Sequence, residues 1–153
     1  MKKVLSYIGL FVAVIVIAFL ILFSNGDIGT YKSNIEKDSR VSQKISDDWQ
    51  VVKQTTKTMS AMIYYDDEML SNHTYSIYVN RNGLSLGYFF RSGGIIAATM
   101  ESIAEFYLDG YNERAYISMN KQQVSEVEID NGETLKQSRL TVQSHLHLFY
   151  LLM

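Results

Sequence analysis

The sequence predicts an N-terminal single transmembrane helix followed by a small, mainly β (β-rich α+β) domain of antiparallel hairpins. Three observations carry this: an uncharged apolar run from Val4 to Phe23, β-branched and aromatic chain from Trp49 onward, and an Asn82-Gly83 turn between two alternating runs. In a chain of 153 residues, removing about twenty for the membrane leaves room for one domain of ordinary size. A domain of about 130 residues buries a core without staples. This one has to, since it has no cysteine for a disulfide or a zinc-thiolate site.

Lys2 and Lys3 precede the run VLSYIGLFVAVIVIAFLILF. About twenty helical residues at 1.5 Å each reach about 30 Å, the thickness of a bilayer's hydrocarbon core. A cleaved secretory signal is the competing reading, but it wants a shorter apolar region and a small-x-small site. Ser24-Asn25-Gly26 matches that poorly, and no cysteine follows to accept a lipid. The reading is therefore a signal-anchor, with residues 1–3 in the cytoplasm and 4–23 spanning the membrane. The leading lysines and the α-amino group favour an N-terminus inside and a domain outside. Lys32, Lys37 and Arg40 lie farther off, interleaved with Glu36 and Asp38. The Met-Lys-Lys start and compact layout suit a bacterial chain.

Residues 24–48 read as a linker with an amphipathic stalk helix. Ile28, Tyr31, Ile35, Val41, Ile45, Trp49 and Val52 share one side of a helical wheel, which predicts a helix from about Tyr31 to Ser46 that docks on the domain. The β-rich domain covers 49–137. Residues 49–67 suit one long or two short strands, ending in the turn Asp66-Asp67-Glu68, a solvated turn rather than a calcium loop. Asn82-Gly83 predicts a type I′ hairpin that pairs Val79 with Leu86, Ile77 with Tyr88 and Tyr75 with Phe90. The segment 95–108 fits helix and strand periods both, and its flanking Asp109-Gly110 turn favours a strand. Ser125, Val127 and Ile129 alternate with acids, an edge strand closed by Asn131-Gly132.

Residues 138–153 read as an atypical C-terminal tail. No acid appears after Glu133, and the chain finishes LHLFYLLM. A final buried strand explains the finish; so does an altered or truncated end.

Chemistry is sparse. The soluble part is net acidic, since every acid follows the apolar run, and no basic stripe is visible; this argues against a nucleic-acid partner. No cysteine nucleophile exists, and His73, His145 and His147 are the only histidines available as bases. Glu101 with Glu105 could form a carboxylate pair, but solvated charge is the commoner use of such residues. His145 and His147 form a weak metal edge lacking a third ligand. No catalytic, cofactor or metal residue is therefore assigned. The one binding surface that the pattern offers is the outer hairpin face, where Tyr78 and Phe89 would lie diagonally as a flat platform for a sugar ring or peptide, unless a helix or second sheet covers them. Two functions follow as expectations: a membrane-anchored, non-enzymatic module binding or shielding at the cell surface, or an accessory subunit of a membrane protein complex acting through its span. The implied partners are the lipid bilayer through Val4–Phe23 and another envelope or membrane protein.

Overall fold

The computed structural model describes residues 2–69, 72–81, 83, 85–96, 103–107, 110, 113–118, 126–130, 135–139 and 147–152. It describes side chains within these ranges as far as Ser118, apart from Lys2, Lys3, Leu5 and Ile103.

Helix α1 (Lys2–Ser24) is apolar on every side, and none of its 19-residue window Ser6–Ser24 is buried. It is the one helix, among the described residues, long and apolar enough to cross a membrane. Gly26 ends it at φ 69°. The amides of Gly26 and Asp27 close back onto the carbonyls of Phe23 (3.1 Å) and Leu22 (2.9 Å). This is the Schellman arrangement, in which a glycine takes the left-handed position at no steric cost.

After a single 3-10 turn at Lys32–Asn34, helix α2 runs from Ile35 to Gln43. It is shorter than the expected 31–46 helix. Lys44 enters the left-handed region (φ 56°) and breaks it, with the amides of Lys44 and Ile45 turning back to Val41 and Arg40. Ile35 and Ile45 reach the core, but Tyr31 and Val41 face solvent, so the stripe is only partly used.

Strands β1 (Gln50–Thr55), β2 (Met59–Tyr65), β3 (His73–Asn80) and β4 (Tyr88–Gly94) form an antiparallel meander in sequence order. The 49–67 segment is thus two strands. Asp66 accepts from the amides of Glu68 (2.9 Å) and Met69 (3.4 Å), so its carboxylate builds the turn between β2 and β3. Strands β5 (Ile103–Tyr107), β6 (Glu113–Ser118) and β9 (His147–Leu152) make a second sheet with β6 central, and β7 (Glu126–Asp130) pairs with β8 (Leu135–Arg139). The chain 95–108 therefore contains a strand at its end, with 97–102 outside the described residues. Within the LHLFYLLM finish, His147–Leu152 supplies β9, registered on β6 from Ser118↔His147 to Glu113↔Leu152. Asn82, Glu101, Asn131, Gly132 and His145 lie outside the described residues, as does the side chain of His147.

The four-stranded sheet is covered on both faces, and its sequence says why. β2, MSAMIYY, is apolar at nearly every position rather than every second one, the pattern of a strand buried on both sides. β3, HTYSIYVN, though partly polar, brings Ile77, Tyr78 and Val79 together and so has apolar side chains for both faces. Met59, Ala61, Ile63, Ile77 and Val79 meet Ala115 and Ile117 of the second sheet. Tyr75 packs on Phe106 there, with ring centroids 4.7 Å apart. Met62, Tyr64, Tyr78 and Tyr88 face the other way, onto Ile35 and Ile45. The layers are thus helix, sheet, sheet.

Candidate functional site

The β3–β4 hairpin forms, but not in the register that Asn82-Gly83 favours. Asn80 pairs with Tyr88, Val79 with Phe89 and Tyr78 with Phe90; a bulge follows, and Tyr75 pairs with Gly94. Gly83 does take a positive φ of 106°, yet the pair nearest the turn, Asn80 with Tyr88, leaves residues 81–87 between the strands instead of two, with 82 and 84 outside the described residues. The cause is a competing partner. The amide of Leu86 donates to the Asp27 carbonyl (2.7 Å) and the Leu86 carbonyl accepts from Gly29 (2.6 Å), while Thr30 and Tyr88 exchange both backbone bonds at 2.8 Å. The chain leaving α1 is bound along the start of β4, and Leu86 is spent there rather than opposite Val79.

That register corrects the expected platform. Because paired residues share a face, Phe89 lies with Val79 and Tyr78 with Phe90, on opposite sides of the sheet. Tyr78 is fully buried under α2, its ring edge-on to Phe90 at 5.6 Å. Its hydroxyl donates to Asp38 Oδ2 at 2.7 Å. Burial, and then this bond to a carboxylate, push the Tyr78 phenol far above the usual tyrosine range. Phe89 is half-buried, and the Arg81 guanidinium lies over its ring at 3.9 Å.

A tight backbone crossing holds the junction. A Cβ on Gly29 would stand 2.5 Å from the Tyr88 carbonyl oxygen, and one on Gly87 (φ 88°) 2.9 Å from that of Thr30. Between this crossing and α2 opens a cleft of about 470 Å³, lined by Gly29, Thr30, Tyr31, Asn34, Lys37, Asp38 and Val41. Tyr31 and Val41 are 74% and 73% exposed. A second hollow, about 430 Å³, lies on the far flank of α2 and shares Lys37 and Val41. The cleft joins aromatic and aliphatic surface to one cation, Lys37, and one anion, Asp38.

The polar groups behind it hold α2 on the sheet. Ser39 and Ser76 hydroxyls meet at 2.6 Å in the buried interface, and the Gln43 amide donates to Ser76. Arg40 donates to the carbonyls of Ser46 (2.6 Å) and Trp49 (3.0 Å) and lies over the Tyr64 ring. Glu36 accepts from Lys53 at 2.5 Å and from Arg40 at 3.4 Å. The Lys53 hydrogen bond, and charge from both bases, hold its carboxyl below the usual range. Between the sheets, buried Glu113 accepts from Thr56 at 2.7 Å; within the second sheet, Glu105 of β5 pairs with Arg114 of β6 at 2.6 Å. The His73 ring bonds the Ile96 carbonyl at 3.1 Å. Among the described residues, no three His, Asp or Glu side chains are grouped to hold a metal ion.

Sequence reasoning missed Gly29, Gly87 and the Tyr78–Asp38 bond. A signal existed for Gly87, since a lone glycine within a strand pattern marks a close backbone approach. Comparison with protein-family models, with curated proteins and with solved structures finds no match to this chain.

Proposed function

We propose that this is a single-pass membrane protein whose β-rich domain stands outside the cytoplasm as a non-enzymatic module, binding or shielding a partner at the cell surface. The observation that carries the reading is the bare helix. Leu10, Phe11, Ile15, Phe19 and Phe23 are each more than half exposed, with no packing partner in the domain. A helix apolar all round finds its solvent in a bilayer. The non-enzymatic part is supported by how the carboxylates of the domain are used: Asp38, Glu36, Glu105 and Glu113 each tie one element to another.

Protease added to intact cells is expected to remove the domain, with the mature protein still beginning at the initiator region. A domain protected until lysis would reject the orientation, and a new N-terminus beyond Ser24 would reject the anchor. The second reading, an accessory subunit acting through α1, rests on the same bare helix. Exchanging Val4–Phe23 for an unrelated span keeps function under the first reading and abolishes it under the second.

A further inference from the structure

The two ends of the four-stranded sheet differ in charge and in distance from α1. At one end lie the β1–β2 turn with Lys57 and the Arg81–Gly87 loop, joined by Asn80 Nδ2 donating to the Lys57 carbonyl at 3.1 Å. At the other, about 25 Å away along the eight residues of β3, lie the Asp66-Asp67-Glu68 turn and the Asp47-Asp48 approach to β1. That far end carries five acids against one exposed base, Lys44. The near end presents Lys57 and Arg81, both exposed; its acids include Asp27, half-buried, and Glu113, buried against Thr56. Exposed Asp38, bonded to Tyr78, lines the cleft beside Tyr31 together with exposed Lys37.

The near end is also the one tied to α1. From Phe23, the last residue of the apolar run, the chain rises about 11 Å at most to Asp27, whose carbonyl already holds Leu86. The headgroup layer of a leaflet is about 6 Å thick beyond the hydrocarbon. So short a tether, locked by the Gly29–Gly87 crossing, leaves the near end nowhere to stand but at the bilayer surface. There the chain exposes Leu86 (52%) and Tyr31 (74%), the latter a residue type that favours the interface.

We propose that this end of the sheet rests on the headgroup layer of the membrane that α1 crosses. Leu86 and Tyr31 enter the interfacial layer, and Lys57 and Arg81 meet anionic lipid phosphates. The acidic end then points away from the surface, and the cleft beside Tyr31 opens at headgroup level. The inference rests on the anchor reading above.

The test uses the full chain in vesicles of phosphatidylcholine, with and without phosphatidylglycerol. Because the protein has no cysteine, single nitroxide labels can be placed through Leu86→Cys, Met69→Cys at the far turn, and Leu20→Cys within α1. On anionic vesicles the label at 86 is expected to collide with a water-soluble nickel reagent several-fold less than the label at 69. That contrast should shrink without phosphatidylglycerol, and also when Lys57→Glu and Arg81→Glu are added. A label at 86 as open to the reagent as that at 69, with the label at 20 in hydrocarbon, overturns the docking and leaves the anchor standing. A label at 20 in water overturns the anchor, and the docking with it. A contrast indifferent to lipid charge and to the double variant overturns the phosphate contacts.

Discussion

The two helices of this chain stop in the same way and live in different solvents. Both close with paired amides turning back onto the last carbonyls, at Gly26 in α1 and at Lys44 in α2. Beyond that they share little. α1 buries none of its Ser6–Ser24 window, and the chain that follows it joins the domain through the backbone crossing at Gly29 and Gly87. α2, nine residues long, is too short to persist alone and is helical because Ile35 and Ser39 are sealed against the sheet. Apolar character therefore means opposite things in the two. In α1 it faces outward and asks for lipid; in α2 it faces inward and supplies core.

The widest separation between them is expected from one substitution repeated in each. Ile35 is 2% exposed and packs with Tyr64, Tyr78 and Tyr88, so Ile35→Ala should destabilise the domain by about 3 kcal/mol, through lost transfer energy and a residual cavity. Ile15→Ala in α1 should leave the unfolding midpoint of the domain where it was, because Ile15 touches none of it. Denaturant titrations of the full chain in detergent micelles, followed by near-ultraviolet circular dichroism, compare the two. Equal losses would mean that α1 is packed on the domain after all.

A smaller effect probes what holds α2 down. Tyr78→Phe removes the bond to Asp38 and should cost about 1 kcal/mol at neutral pH. The pH dependence has a definite sign. A phenol whose folded pKa is raised contributes stability that is intact below its unfolded value, about 10, and is lost as pH climbs beyond it. Wild-type protein should therefore weaken in alkali, and the Tyr78→Phe variant should decline less steeply there. Parallel declines would shift the alkaline sensitivity to Tyr64 and Tyr88, which burial also pushes upward.

These residues also mark how far the sequence could be read. The twenty-residue apolar run and the β-branched and aromatic stretch that forms β1 and β2 were legible, because run length and residue type report them directly. The register of β3 on β4 was not. Asn82-Gly83 is a local signal, and it yields to a pairing with Asp27–Thr30 that lies more than fifty residues earlier in the chain. Tyr78 failed for another reason. Alternation tells which residues share a face, but it is silent on whether a helix covers that face. The α2 stripe was half right, since Ile45 reaches the core by way of the Lys44 turn and not by continuing the helix.

Lys44 is the smallest expected effect and the one that bears most closely on the two helix ends. Gly26 and Lys44 occupy the same position of the same motif, at φ 69° and 56°. Glycine enters the left-handed region freely, whereas a side chain there brings Cβ against the carbonyl oxygen, at about 1 kcal/mol. Lys44 is exposed, so burial of its side chain does little to repay that strain. Lys44→Gly should then stabilise the domain by up to about 1 kcal/mol, less the entropy that glycine adds to the unfolded chain. The converse, Gly26→Lys, should fray the last turn of α1 and leave the domain midpoint unchanged, readable as helix loss in micelles. If Lys44→Gly is neutral or destabilising, the lysine holds the α2 terminus by its charge on the last carbonyls, and acetylating the wild-type lysine should then lower stability to a similar degree.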